Sequence, residues 1–209
     1  PMSNPMSNPT SQMTLYYSPN SPYARKVRVL AAERGLSDQI DFVEVSTAEL
    51  TDPLLTANPL GKVPTLDAGP DGFIADSPLI CEYLDGYIAS ATHAGRVMDL
   101  TDKRLATTAQ GILDAGYAVR MEKTRPEHLQ WPDWKDKQFG KIDRTLDQLE
   151  AGAQILPTEP TIGAISLACT IEWLMFRHAE GQWLAKRPKL AAWSHAFGQR
   201  PSMQATQPA

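Results

Sequence analysis

Apolar and polar positions follow two different rhythms along this chain. Up to about residue 90 the patterned segments are short. Met13 to Tyr17, MTLYY, carries β-favouring side chains and stops at SPNSP, whose two prolines cannot continue a central strand. In the next stretch, YARKVRVLAAERGL, Val27, Leu30, Ala31 and Arg34 recur at helical spacing, and Gly35 stands where a helix ends. Ile40, Phe42, Val43 and Val45 predict a second strand, Ser46 to Leu55 has helical propensity, and NPLGKVPTL brings a loop and a third strand. Gly69 to Gly72 reads as a hairpin turn and Phe73 to Ala75 as a fourth strand. Asp76 and Ser77 then precede Pro78 and the apolar run LICEYLDGYI, the pattern of an N-cap, a proline in the first turn and a buried helix. The rhythm changes near Ser90. Beyond it no strand-like alternation occurs, and segments of helical period near 94–124, 133–152, 161–178 and 188–199 are separated by RPEHLQWPDW, ILPTEP and KRP.

The order β, α, β, α, β, β, α is the thioredoxin-like arrangement, and the remainder reads as all-α. The expected organisation is an α/β thioredoxin-like domain over 13–89 and an all-helical bundle over 90–209. Residues 1–12 repeat PMSN and hold only small, polar, Pro and Met residues; they are expected to be a flexible or vector-derived tail. Composition narrows the function classes. With 209 residues, 42% hydrophobic and 21% charged, the chain can bury a core and is neither a disordered polyampholyte nor a membrane bundle. Twenty Lys and Arg against 24 Asp and Glu leave a net charge of −4, without a basic block to track a phosphate backbone, so nucleic acid is not expected as a ligand. Cys81 and Cys169 stand far apart, outside any CxxC or Cys/His cluster, which disfavours a disulfide framework, a zinc site and a dithiol motif. His93, His128, His178 and His195 share no ligand spacing, so no metal is expected. Without an apolar run near the roughly 18 residues of a membrane span, or a signal-like N-terminus, the expected location is cytoplasmic.

Three motifs in order, SPNSPYARKVRVLAAE, NPLGKVPTL and DSPLICEYL, resemble the cytosolic glutathione transferase superfamily, in particular its bacterial, serine-type members; the likeness covers residues 13 to about 203, including the closing RPSMQAT. The resemblance implies an enzyme that conjugates the thiolate of glutathione, its co-substrate, to a small hydrophobic electrophile, and that works as a homodimer. Each motif also has a physical reading. A cis bond before Pro64 would turn the Val63 backbone outward with its N–H and C=O unpaired, ready to form a short ladder with a peptide ligand. Asp76 and Ser77 sit at a helix N-terminus, whose free N–H groups and positive dipole end attract a carboxylate. The resemblance assigns them to the glutamyl end of glutathione and lets Lys62 add charge near the glycyl end. Ser77 reads equally well as a plain cap.

A thiol is a poor nucleophile until ionised, and a hydroxyl donor at a helix N-terminus favours the thiolate. Ser21, just before Pro22, matches the serine of serine-type transferases; Tyr17 matches the tyrosine of tyrosine-type classes, and Ser18 is a third hydroxyl in the loop. Cysteine at position 21 would imply glutathione-dependent reduction, and serine stands there instead. Cys81 and Cys169 read as small buried hydrophobes. In the helical half, relatives place an Asp three residues after the position of Thr161 to complete a capping box, whereas this chain has Ala164, with Gly163 before it. Tyr117, Arg120, Met121 and Lys123, with Trp131 and Trp134 beyond, lie on the segment that lines the electrophile pocket in relatives, although such spacing also fits core packing. Two alternatives remain open: a non-catalytic transferase-like protein acting through protein partners, and a glutathione-dependent peroxidase, isomerase or dehalogenase.

Overall fold

The computed structural model describes residues 13–46, 48–49, 52–92 and 99–208. The expected tail over 1–12, and His93, lie outside these residues. Strand β1 (Met13–Tyr17) leads to helix α1 (Pro22–Glu33), β2 (Ile40–Glu44), α2 (Asp52–Ala57), β3 (Thr65–Asp67), β4 (Phe73–Ala75) and α3 (Ser77–Thr92). The sheet order is β2-β1-β3-β4, with β1 and β2 parallel and β3 antiparallel to both of its neighbours. Helices follow: α4 (Leu100–Glu122), α5 (Pro132–Ala151), α6 (Ile162–Arg177), α7 (Pro188–Gly198) and the short α8 (Pro201–Gln204). This is the thioredoxin-like unit followed by a helical unit that the sequence pattern predicts.

Local chemistry sets the element ends. Ser21 caps α1, its hydroxyl accepting from the Ala24 N–H at 3.2 Å, and Pro22 opens the first turn. Gly35 leaves the helix at φ +67°, a conformation that costs glycine little. The expected helix over Ser46 to Leu55 is corrected to Asp52–Ala57. Pro53 fits only a first turn, and upstream the Ser46 hydroxyl accepts from the N–H groups of Ala48 and Glu49, both at 3.2 Å, which is turn chemistry. The sequence pattern also missed α8, which is only four residues long.

Helix α6 is the hub of the molecule. Nearly all of it is buried, because one side packs on the sheet side of the molecule and the other on its fellow helices. Ile165, Ala168 and Cys169 join Leu15, Val27, Leu30, Leu66, Ile80 and Leu84 in one core. Leu167, Ile171 and Trp173 join Ile112, Leu113, Ile142 and Leu146 in a second. Polar ties reinforce the seam. Arg25 of α1 meets Glu172 of α6 at 2.5 Å, Arg34 reaches the Pro160 carbonyl at 3.2 Å, and Arg200 meets Glu33 at 3.0 Å.

The start of α6 departs from the expected incomplete box. Thr161 caps it by accepting from the Ala164 N–H at 3.1 Å, and its own N–H finds the Glu159 carbonyl at 2.8 Å. The missing acid comes from another helix: both carboxylate oxygens of Asp102, in the first turn of α4, accept from the Gly163 N–H at 3.0 and 3.1 Å. A β-carbon at Gly163 would lie 2.7 Å from the Asp102 carbonyl oxygen, so only glycine admits this approach. Among the described residues no helix is long and apolar enough to cross a membrane.

Candidate functional site

Strand register gathers three loops at one end of the sheet. Tyr16 pairs with Thr65, and Thr65 with Ala75. The residues just after β1, just before β3 and just after β4 therefore emerge side by side. They are Ser18 to Ser21, Lys62 to Pro64, and Asp76 with Ser77.

The bond between Val63 and Pro64 is cis, as the sequence reading expects. Val63 is half-buried, and among the described residues neither its N–H nor its C=O takes part in a backbone hydrogen bond outside regular elements. The segment is held from below. The buried hydroxyl of Thr65 donates to the Lys62 carbonyl at 2.9 Å, while the buried Asn58 amide donates to that hydroxyl at 3.1 Å and to the same carbonyl at 3.2 Å. Sequence reading missed Asn58 and Thr65; their place around GKVP in NPLGKVPT was the available signal. Lys62 itself is exposed.

Asp76 has φ +78°, a left-handed conformation rare for a side chain larger than glycine. Its carbonyl accepts from the Ile80 N–H at 3.0 Å, so Asp76 is the cap residue of α3 and Ser77 the first residue inside. The plain-cap reading of Ser77 fails on one observation. Its hydroxyl is buried, with 1% of the residue exposed, and has no hydrogen-bond partner among the described residues. A buried, unpaired hydroxyl costs about 1–3 kcal/mol, and here it sits at the N-terminal end of a 16-residue helix, where the dipole favours an anion.

Ser21 is half-buried at the start of α1, with its N–H bound to the Ser18 carbonyl at 3.0 Å. Since its oxygen accepts from Ala24, the hydroxyl proton is left to donate elsewhere. Tyr17 is engaged differently. Its ring lies under the Arg28 guanidinium at 4.6 Å and against the edge of Phe42 at 6.3 Å, packed on the core side of β1.

Behind Ser21, a polar cluster that sequence reasoning missed joins α1 to α4. Tyr23 donates to Asp114 at 2.8 Å, Gln110 donates to Asp114 at 2.9 Å, and the buried Lys26 ammonium donates to Gln110 at 2.6 Å. Burial, then the Asp114 hydrogen bond, push the Tyr23 phenol far up, and burial lowers the Lys26 ammonium. The signal was polar spacing of three and four residues on two helices that otherwise pack. Of the expected electrophile wall, Tyr117 is 41% exposed and meets the Tyr23 ring at 5.6 Å, while Met121 and Trp131 are also exposed. Lys123 is turned away into a pair with Glu180 and lies 3.3 Å from the buried His178. Cys81 and Cys169 are buried, their thiols pushed up to about 12 and about 11 by desolvation, so neither ionises near neutrality.

Comparisons with known proteins bear on the fold and the family. Residues 15–88 match the family model of the glutathione S-transferase N-terminal domain, and residues 132–196 that of the C-terminal domain. The uncharacterized GST-like protein YibF of Escherichia coli K12 is 30% identical over 94% of this chain and 98% of its own. A glutathione transferase family member from Pseudomonas fluorescens Pf-5, solved with bound glutathione, superposes with TM-score 0.86 at 37% identity, over 95% of this chain and 100% of that one. A glutathione S-transferase from Methylobacillus flagellatus KT, solved with glutathione bound, gives TM-score 0.82 at 33% identity over 95% and 100%. The order of elements and these matches together place the chain in the glutathione S-transferase family.

Proposed function

We propose that this protein binds glutathione at the end of the sheet and conjugates its thiolate to a small, largely hydrophobic electrophile, the sulfur forming a thioether by addition or by displacement of a leaving group. The observation that carries the reading is the Ser77 hydroxyl, buried and unpartnered at a helix N-terminus beside the free main chain of Val63. Both features suit a peptide with a terminal carboxylate. Ser77 and the α3 N–H groups would receive the glutamyl carboxylate, Asp76 the adjacent amine, the Val63 main chain the cysteinyl amide, and Lys62 the glycyl end. Pro64 shapes that stretch. The two relatives solved with glutathione support the same ligand here.

Glutathione would supply the nucleophile, its thiol once ionised. Ser21 would donate its free hydroxyl proton to the sulfur, favouring the thiolate; the reading is therefore serine-type. Tyr17 is the weaker candidate because its ring is committed to Arg28 and Phe42, and Ser18 contributes its carbonyl to the turn. A thiol with an ordinary pKa near 8.5 to 9 is already partly ionised at neutral pH, so a modest shift suffices and positioning of the electrophile does the rest. On this reading 13–89 is the glutathione-binding unit and 90–209 the electrophile-binding unit of a cytoplasmic homodimer.

Retention on immobilised glutathione, with release by the free tripeptide, tests the binding. An assay panel of an aryl halide, an epoxide, an organic hydroperoxide and a maleyl acid separates conjugation from peroxide reduction, dehalogenation and isomerisation. Failure to bind glutathione would turn the reading over to a protein-partner role.

A further inference from the structure

The ends of α4 and α6 come close to the start of α1, where Ser21 stands. Helix α1 runs antiparallel to α4, since Tyr23 meets Asp114 and Lys26 meets Gln110. It also runs antiparallel to α6, since Arg25 meets Glu172 and Arg34, just past α1, meets Pro160, just before α6. Continued back to the start of α1, both registers set Ser21 opposite the closing turns of α4 and α6. Those turns present aromatic faces, Tyr117 and Phe176, each 41% exposed.

They also present charge. Arg120 follows Tyr117 by one turn on α4, and Arg177 follows Trp173 by one turn on α6; the rings of Tyr117 and Trp173 are 6.5 Å apart. The Arg177 guanidinium lies over the Phe176 ring at 4.2 Å. Burial, and then repulsion from Arg120, lower its proton affinity, so the two cations feel one another. Neither forms an ion pair among the described residues, whereas nearby Lys123 is paired with Glu180 and Arg125 with Glu122. Two half-buried, mutually repelling guanidiniums without a counter-ion among the described residues favour a bound anion.

We propose, resting on the transferase reading of the cleft, that the electrophile carries a carboxylate, held by Arg120 and Arg177, with its apolar body along Tyr117 and Phe176. The test measures binding, so that it does not depend on finding the natural substrate. Affinities for glutathione, S-(4-carboxybenzyl)glutathione and its uncharged isostere S-(4-carbamoylbenzyl)glutathione are determined by calorimetry. The wild type is expected to bind the acid about tenfold more tightly than the amide, a preference that shrinks as salt is added. Arg120→Gln with Arg177→Gln should abolish the preference and leave glutathione affinity in place. Equal binding of acid and amide by the wild type, or a preference retained in the double variant, would overturn this inference while measured glutathione affinity keeps the transferase reading. Absence of glutathione binding would overturn both. The salt series on the wild type gives the answer even if the double variant folds poorly.

Discussion

Ser77 stands where a protein on its own gains nothing from a hydroxyl. Buried and unpaired, it lowers the stability of the free protein, and only a ligand offsets that cost. Ser77→Ala should therefore leave the unfolding free energy unchanged or raise it, by up to about 1 kcal/mol, while weakening glutathione binding about tenfold. Thermal melts with and without glutathione check both halves; a destabilised variant with intact affinity would point to a structural role. Ser21 carries two jobs at once, so its substitution has two signatures. Ser21→Ala loses the α1 cap, costing about 1 kcal/mol, and the donor to sulfur, slowing conjugation about tenfold with glutathione affinity nearly unchanged. Ser21→Gly keeps most of the stability, since glycine caps tolerably, yet should be as slow as the alanine variant. A fast Ser21→Gly variant would move the role to another group. At this scale the sequence was informative where a motif fixes backbone geometry. SPNSPY and DSP marked both helix starts, and VP marked the turn before β3. It gave only faint signals of Asn58 and Thr65, which flank GKVP, and of Asp114 and Lys26, in polar spacing of three and four residues, because the groups they meet are decided by the fold.

Among the elements, α6 shows how a local device can be replaced from a distance. The acid missing from its own first turn is supplied by Asp102 of α4, and Gly163 is the position that lets the carboxylate approach. Asp102→Ala should lower stability by about 1–2 kcal/mol, and Gly163→Ala should do so by at least as much, since a methyl group would push the two helices apart. The pair combined should cost less than the sum of the two, because both break one contact. Denaturant melts of the three variants check this; strict additivity would mean that the contact does not couple them. Hydrophobic period was enough to find α4 to α7, and short β-favouring runs bounded by proline and glycine enough for β1 to β4. The helix expected over Ser46 to Leu55 was misplaced because propensity reads side chains singly, whereas Pro53 and the Ser46 turn decide where a helix can begin. The cap from Asp102 was illegible for a different reason: it joins residues 61 apart in sequence.

Across the whole molecule, the two units are joined by buried charge as well as by the α6 core. Glu33 is held by Arg200 and by Ser202, whose hydroxyl donates at 2.5 Å. Burial alone would raise its carboxyl, but the hydrogen bonds from Arg200 and Ser202 outweigh that and lower it from the ordinary 4.5. A carboxylate depressed on folding contributes stability that is complete above its ordinary value and is lost as pH falls through the lowered one. Stability should thus decline on acidification below about pH 4.5, and Glu33→Gln should flatten part of that decline while lowering stability at neutral pH. A decline of equal steepness in the variant would assign it to other carboxylates. The sequence foretold the pairing of an α/β unit with a helical one, but not which charges would cross the seam, since Glu33 and Arg200 lie at opposite ends of the chain.

The serine-type reading requires a glutathione sulfur resting against the Ser21 hydroxyl, and an ultraviolet titration of the thiolate in the binary complex reads that contact without any electrophile. Bound glutathione should show thiolate absorbance at a lower pH than free glutathione, and Ser21→Ala should return the titration toward that of the free thiol. A wild-type complex whose sulfur titrates like free glutathione, or one indifferent to the loss of Ser21, would contradict it.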